Sequence, residues 1–265
     1  MRVNMNFERD INAKINANRQ GIIIVERSLS STNLYAENLI KNGAESGTVV
    51  IADSQKDGAG RRGRHFFSPP GVGIYMSYIM LVPKGAQHIE LLTSAAGLAV
   101  SNAIDEIAGI RTKIKWPNDI MHNEKKLCGI LTKLTADTLH NIITHAIIGI
   151  GINVNQADGD FPDELKDTAS SLRIASGREC DRAALSAKVI TELDNILRNI
   201  KSKQLIKELC EKSCTIGREV ELTTQGKSIR GFALGIDSKG GLIVSSAEKK
   251  LVVTAGEVIH CRQKG

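Results

Sequence analysis

The stretch TVVIADSQKDGAGRRGRHFFSPPG, residues 48–71, carries the reading of this chain. Its first five residues, Thr48 to Ala52, are rich in β-branched side chains and read as a buried strand. The strand runs into Asp57-Gly58-Ala59-Gly60-Arg61-Arg62-Gly63-Arg64, where three glycines and three arginines fall between Gly58 and Arg64. Glycine lets the backbone reach positive φ and come close to a ligand. Arginine offers a planar fork of donors that matches phosphate and carboxylate oxygens. Such a loop is suited to wrapping an anion, although a solvated basic turn has the same composition. A glycine-rich connection between two strands also suits a mobile lid.

Outward from this loop, the pattern alternates strands and helices. Upstream, Ile22 to Val25 is a short β-branched run, and Ser30-Ser31-Thr32-Asn33 supplies N-cap residues for a helix over Leu34 to Ile40. Residues 4–18 read as a weak helix at best. Downstream, Gly73 to Val82 reads as a strand and Glu90 to Ala108 as a long, Ala-rich helix. Thr112 to Lys115 is a short strand closed by Trp116-Pro117-Asn118-Asp119, since Pro117 has no N–H for a ladder. Lys126 to Leu134 and Ile142 to Val154 read as a hairpin. Residues 158–177 are irregular, then Asp181 opens an amphipathic helix with Leu185, Val189, Leu193, Ile196, Leu197 and Ile200 on one face. A second helix covers about 203–213. From Thr215 the pattern changes to short strands with glycine turns, five in about fifty residues, which suggests a small barrel and a domain boundary near 213.

Bulk properties narrow the function. The 265 residues are 42% hydrophobic, enough for a sizeable core. A net charge of +6 favours anionic partners. Aromatics make up only 3%, so base-stacking platforms are scarce. The five cysteines, Cys128, Cys180, Cys210, Cys214 and Cys261, form no pair or Cys/His cluster of zinc-ligand spacing, and no metal site is expected. Their odd number, with no signal peptide, fits reduced thiols in a cytoplasm. No apolar run is long enough to span a membrane.

Four further segments could meet the Gly/Arg loop. Ser31-Thr32-Asn33 is a helix cap, and hydroxyls with free N–H groups at a helix start can also hold a polar ligand head. Lys115-Trp116-Pro117-Asn118-Asp119 is a tight turn in which Asp119 could orient an amine or a metal. Lys126, at the head of the apolar run Leu127 to Leu131, could project into a cleft and neutralise a carboxylate or phosphate, or stand in water at a strand end. Cys128 beside it reads as a buried small residue, because no His or Asp partner is signalled. Gly149 and Gly151, inside a strand, mark a bulge or the close approach of something flat. Neither a dinucleotide fingerprint nor a Walker A motif is present, so any nucleotide is bound by another solution.

In this order, SSTN at 30–33, SQKDGAGRRGRHFFSPPG at 54–71, KWPND at 115–119, KLCGIL at 126–131 and GIGINVN at 149–155 resemble the biotin–protein ligases. The resemblance spans roughly 22–262. It implies an α+β fold: a mixed, mostly antiparallel sheet with helices, of the class II synthetase-like kind, in a catalytic biotin- and ATP-binding domain over 1–213. Beyond it, a small SH3-like β-barrel is implied over 214–265. Only about twenty residues precede the first strand, fewer than a helix-turn-helix domain needs, so the likeness is to the monofunctional type and no specific DNA binding is expected.

The resemblance also implies an activity and a set of site residues. The family joins biotin and ATP into biotinyl-5′-adenylate, releases pyrophosphate, and passes biotin to a lysine of a biotin carboxyl carrier protein or domain of a biotin-dependent carboxylase. Lys126 matches the lysine that touches carboxylate and phosphate, Arg61 the loop arginine that holds the adenylate, and Asp119 a residue placed to accept from the attacking amine. Ser31, Thr32, Asn33, Gln55, Gly58, Arg61, Lys126, Gly129, Gly149 and Gly151 match the biotin site. Arg61, Arg62, Arg64, Phe66, Lys115, Trp116, Asn118, Lys126 and Asn153 match the ATP and adenylate site, with Phe66 where relatives often place Trp against adenine. Mg²⁺ would share the phosphate charge. A homodimer is compatible with the family, and a cytoplasmic location is expected. Relatives commonly carry Arg where Ala59 stands, which implies a weaker grip on the adenylate. Competing expectations are a lipoate or octanoyl transferase of related fold, whose arginine motif with an adjacent histidine pair is not found, a biotin-responsive DNA-binding regulator, and a non-catalytic biotin sensor.

Overall fold

The computed structural model describes residues 3–262, apart from 87–88, 138–139, 141, 201–202, 225 and 248; the outermost residues of both expected domains, 1–2 and 263–265, lie outside the described residues. The apolar runs assemble into one seven-stranded sheet. Its strands are β1 (Ile23–Glu26), β2 (Val49–Ala52), β3 (Gly73–Leu81), β4 (Lys113–Lys115), β5 (Asp119–His122), β6 (Lys125–Asp137) and β7 (Ile142–Asn153), in the spatial order β1-β2-β3-β7-β6-β5-β4. β1 and β2 pair in parallel and every other pair is antiparallel.

Among the described residues, six α-helices accompany the strands: α1 (Val3–Asn12), α2 (Thr32–Lys41), α3 (Leu92–Ala108), α4 (Leu172–Ser176), α5 (Arg182–Arg198) and α6 (Lys203–Lys212). α3 and α5 cover one face of the sheet and share its main core. α2 lies on the other, where Ala36 packs with Val50, Ile79 and Ile147. α5 starts where the sequence places it: the Asp181 carboxylate accepts from the N–H groups of Ala183 (2.8 Å) and Ala184 (3.1 Å). Leu185, Val189, Leu193 and Leu197 are buried, as its stripe requires.

Three elements differ from the sequence reading, among them α4, which stands within the stretch 158–177 read as irregular. The amino-terminal segment is a helix because tertiary packing holds it: Ile11 is fully buried, and the Arg182 guanidinium lies 5.0 Å from the Phe7 ring centroid. The WPND turn leads straight into β5, whose four residues are too few to show a period.

From β8 (Glu219–Thr224) the chain builds a second sheet with β9 (Lys227–Ile236), β10 (Leu242–Ser246), β11 (Lys249–Val253) and β12 (Glu257–Arg262). All pairs are antiparallel, in the order β11-β10-β9-β8-β12. Among the described residues it is an open ladder with β11 and β12 at its edges, where the sequence suggests a barrel. Its core of Val220, Leu222, Ala233, Leu242, Val244, Val253 and Val258 is completed by Trp116 from the larger sheet.

Candidate active site

Strand register lays out the floor of the site. Lys115, Asp119, Gly129, Gly151 and Tyr75 stand opposite one another across β4, β5, β6, β7 and β3. Directly opposed residues share a face of a sheet. The next row on that face is Leu131, Gly149 and Ser77. Gly129, Gly149 and Gly151 therefore leave a bare trough under α2. Two side chains lie in it: a Cβ on Gly149 would come within 2.5 Å of Asn33 Oδ1, and one on Gly151 within 2.5 Å of the Phe66 ring.

Lys126 reaches this face through an irregularity. It precedes Gly129 by three residues, so a regular strand would point it the other way. However, Ile120 opposes Cys128 while Met121 opposes Lys126, which leaves Leu127 as the extra residue of a β-bulge. Leu127 turns into the core, fully buried, and Lys126 returns to the Gly129 face. There its Nζ lies 2.6 Å from Asp119 Oδ1, an ion pair whose side chains are 34% and 25% exposed and so remain reachable by a ligand. The Lys126 N–H donates to Thr168 O and its carbonyl accepts from the Ser170 N–H, which pins the bulge.

The opposite end of the trough is polar and neutral. Ser31 occupies the N-cap position of α2, yet its side chain makes no capping bond. Gln55 supplies the cap instead: its Oε1 accepts from the Thr32 N–H (2.8 Å) and hydroxyl (3.1 Å), while its Nε2 donates to Ser68 Oγ (3.2 Å). The Ser77 hydroxyl sits 2.8 Å from Thr32 Oγ1 and 2.6 Å from Asn33 Oδ1. Fixed donors and acceptors at a buried end select an uncharged polar head.

The Gly/Arg loop closes the remaining side. Arg61 donates to Asn118 Oδ1 (2.8 Å) and to the Gly256 carbonyl (2.6 Å). Arg62 donates to Glu257 Oε2 (3.2 Å) and Thr223 O (3.0 Å), and Arg64 pairs with Glu257 Oε1 at 2.5 Å. Burial pulls the Arg61 guanidinium below its usual value, with Asp119 and Glu257 opposing and Arg62 and Arg64 reinforcing. A guanidinium stays charged regardless. The fully buried Cys128 thiol is pushed up by desolvation, out of reach of thiolate chemistry near neutral pH.

Two cavities meet at this loop. A small one, about 50 Å³, is lined by the polar end, Ala59 and the glycine trough. A larger one, about 450 Å³, is lined by Arg62, Arg64, Lys115, Asn153, Phe161 and their neighbours. Gly60, Arg61, Phe66, Asn118 and Lys126 line both. Two cations thus stand where the contents of the cavities would touch.

Comparison with known proteins identifies the family. Residues 25–153 match the biotin/lipoate A/B protein ligase family and residues 215–261 the biotin protein ligase C-terminal domain. The bifunctional ligase/repressor of Bacillus subtilis is 42% identical over 229 residues, 85% of this chain and 70% of that protein. The chain belongs to the biotin protein ligase family. The biotin–[acetyl-CoA-carboxylase] ligase of Mycobacterium tuberculosis is 30% identical over 92% of this chain and 90% of its own length. The biotin protein ligase of Aquifex aeolicus, solved with biotin and ATP, superposes with a TM-score of 0.78 at 33% identity, covering 91% of this chain and 99% of that one.

Within this ligase fold, most residues singled out from the sequence gather at the two cavities. Gly58 stands behind them, where a Cβ would strike Phe66 O at 2.6 Å. Asp119 lines neither cavity and stands beside them, paired with Lys126. Trp116 is a correction: it lines neither cavity. Only 3% exposed, it sits in the core of the second sheet, its Nε1 donating to Gly240 O (3.0 Å) and its N–H to Thr215 Oγ1 (3.0 Å). An indole buried in that core is structural. Sequence reasoning missed Ser77, Gly256 and Glu257, which reach the site from distant segments. Ser77 alone left a signal, as a hydroxyl in the middle of the apolar strand β3.

Proposed function

We propose that this enzyme activates biotin with ATP and transfers it to a lysine of a carrier protein. The observation that carries the reading is the pair of cavities joined at Arg61 and Lys126. Biotin would lie on the glycine trough with its ureido head among Ser31, Thr32, Asn33 and Gln55, and ATP in the larger cavity. A carboxylate oxygen then attacks the α-phosphorus, and pyrophosphate leaves. Two anions must meet for this, and Arg61 and Lys126 offset their repulsion. In the second half, the carrier lysine amine attacks the acyl carbon, AMP leaves and the amine loses a proton. Asp119, held beside Lys126, is placed to accept a hydrogen bond from that amine.

Among the described residues, no group of three or more His, Cys, Asp or Glu could hold a metal. Mg²⁺ is proposed to enter with ATP and to share the charge of its phosphates. On the proposed division at 213, residues 214–265 serve to brace the loop. The carrier is taken to be a biotin carboxyl carrier domain, and neither specific DNA binding nor membrane association is expected. A homodimer and a cytoplasmic location complete the reading. No described helix is long and apolar enough to cross a membrane.

The test is pyrophosphate release from ATP with biotin, with and without an apo carrier domain. Release that depends on biotin, and a biotinylated carrier, are expected. Release with lipoate or octanoate instead would redirect the substrate, and release without transfer would reduce the protein to a sensor. Lys126→Ala should slow adenylation by at least about a hundredfold, the scale of losing one charge-stabilising donor.

A further inference from the structure

Arg61 differs from Lys126, Arg62 and Arg64 in its partners. Lys126 pairs with Asp119, and Arg62 and Arg64 pair with Glu257. Arg61 is held by two neutral oxygens, Asn118 Oδ1 from the turn before β5 and the Gly256 carbonyl from the turn before β12. Asn118 is itself fixed. It is 8% exposed, its Nδ2 donates to Ile130 O at 3.1 Å, and its carbonyl accepts from the Ile130 N–H at 3.0 Å. With Nδ2 committed to a carbonyl, Oδ1 can only face the guanidinium. Neutral dipoles orient a charge without pairing it, and the nearby Asp119 and Glu257 carboxylates bond other cations, so the guanidinium is left open to an anion entering between the cavities.

We infer, resting on the ligase reading, that Asn118 is a positioning residue: together with the Gly256 carbonyl it aims the Arg61 guanidinium at the junction of the two cavities, and it acts on the adenylate through Arg61. The alternative role, a direct contact between Asn118 and the nucleotide, gives a different pattern in a double-mutant cycle.

The experiment measures the release rate of enzyme-bound biotinyl-5′-AMP for the full chain, Asn118→Ala, Arg61→Gly and the double variant, with melting temperatures alongside. Asn118→Ala should speed release about tenfold, the cost of a misplaced charge-assisted contact. The double variant should release no faster than Arg61→Gly alone, within about twofold. Asn118→Leu, which fills nearly the same volume but offers Arg61 no acceptor, should match Asn118→Ala and serves if the alanine variant fails to fold. Multiplying effects in the double variant, or unchanged release in either Asn118 variant, would overturn the assignment. Absence of any adenylate in the unaltered protein would instead overturn the ligase reading itself.

Discussion

Ala59 is the residue at which this chain departs from the loop pattern of its relatives. It lines the small cavity, and its backbone bridges to His65, so a longer side chain there can extend inward without moving the loop. Ala59→Arg would add a second guanidinium beside Arg61 and Lys126. A charge-assisted contact is worth roughly 1.5–3 kcal/mol, so biotinyl-5′-AMP should leave the variant about ten- to a hundredfold more slowly. An unchanged release rate, followed by rapid quench, would show that position 59 does not touch the intermediate. Residue types were the most legible layer of the sequence: the Gly/Arg loop, Lys126, Gly149 and Gly151 stood out on their own, and the family resemblance singled out Arg61 and Gly129. Their directions were not. Lys126 faces the site only because Leu127 is bulged, and that bulge depends on how β5 pairs with β6.

At the scale of elements, the β6–β7 hairpin could be read from its apolar run and its glycines. Its partner across the site could not, since α2 approaches from a segment roughly a hundred residues earlier. The glycines record that approach. A Cβ on Gly149 would come 2.5–2.9 Å from the Asn33 carboxamide, closer than van der Waals contact allows. Gly149→Ala should therefore push Asn33 off Ser77 and into the trough. Overpacking of this kind costs roughly 1–3 kcal/mol. We expect the KM for biotin to rise about tenfold or more, with the KM for ATP little changed, because the larger cavity is not lined by Gly149. Equal KM values for biotin in the two proteins would place the ureido end elsewhere.

For the whole molecule, the change in pattern near 213 was legible, but the dependence of one sheet on the other was not. Composition marks where short strands begin; it does not show that Trp116 completes their core or that Gly256 and Glu257 grip the Gly/Arg loop. These contacts join segments over a hundred residues apart, and each is invisible to local periodicity. Trp116→Ala separates the two effects. It removes a fully packed indole and leaves Gly240 O without its donor, at a cost of about 3–5 kcal/mol. The melting temperature should fall by several degrees, and proteases should gain access to the connection around 213–219. Trp116→Phe fills most of the space without the N–H and should cost only about 1 kcal/mol. Because β12 starts at Glu257, loosening the second sheet should also free Arg61 and hasten adenylate loss in the alanine variant, though no atom of Trp116 lines either cavity. A destabilised Trp116→Ala protein that still retained its adenylate normally would show that the second sheet only packs against the catalytic one and does not brace its loop.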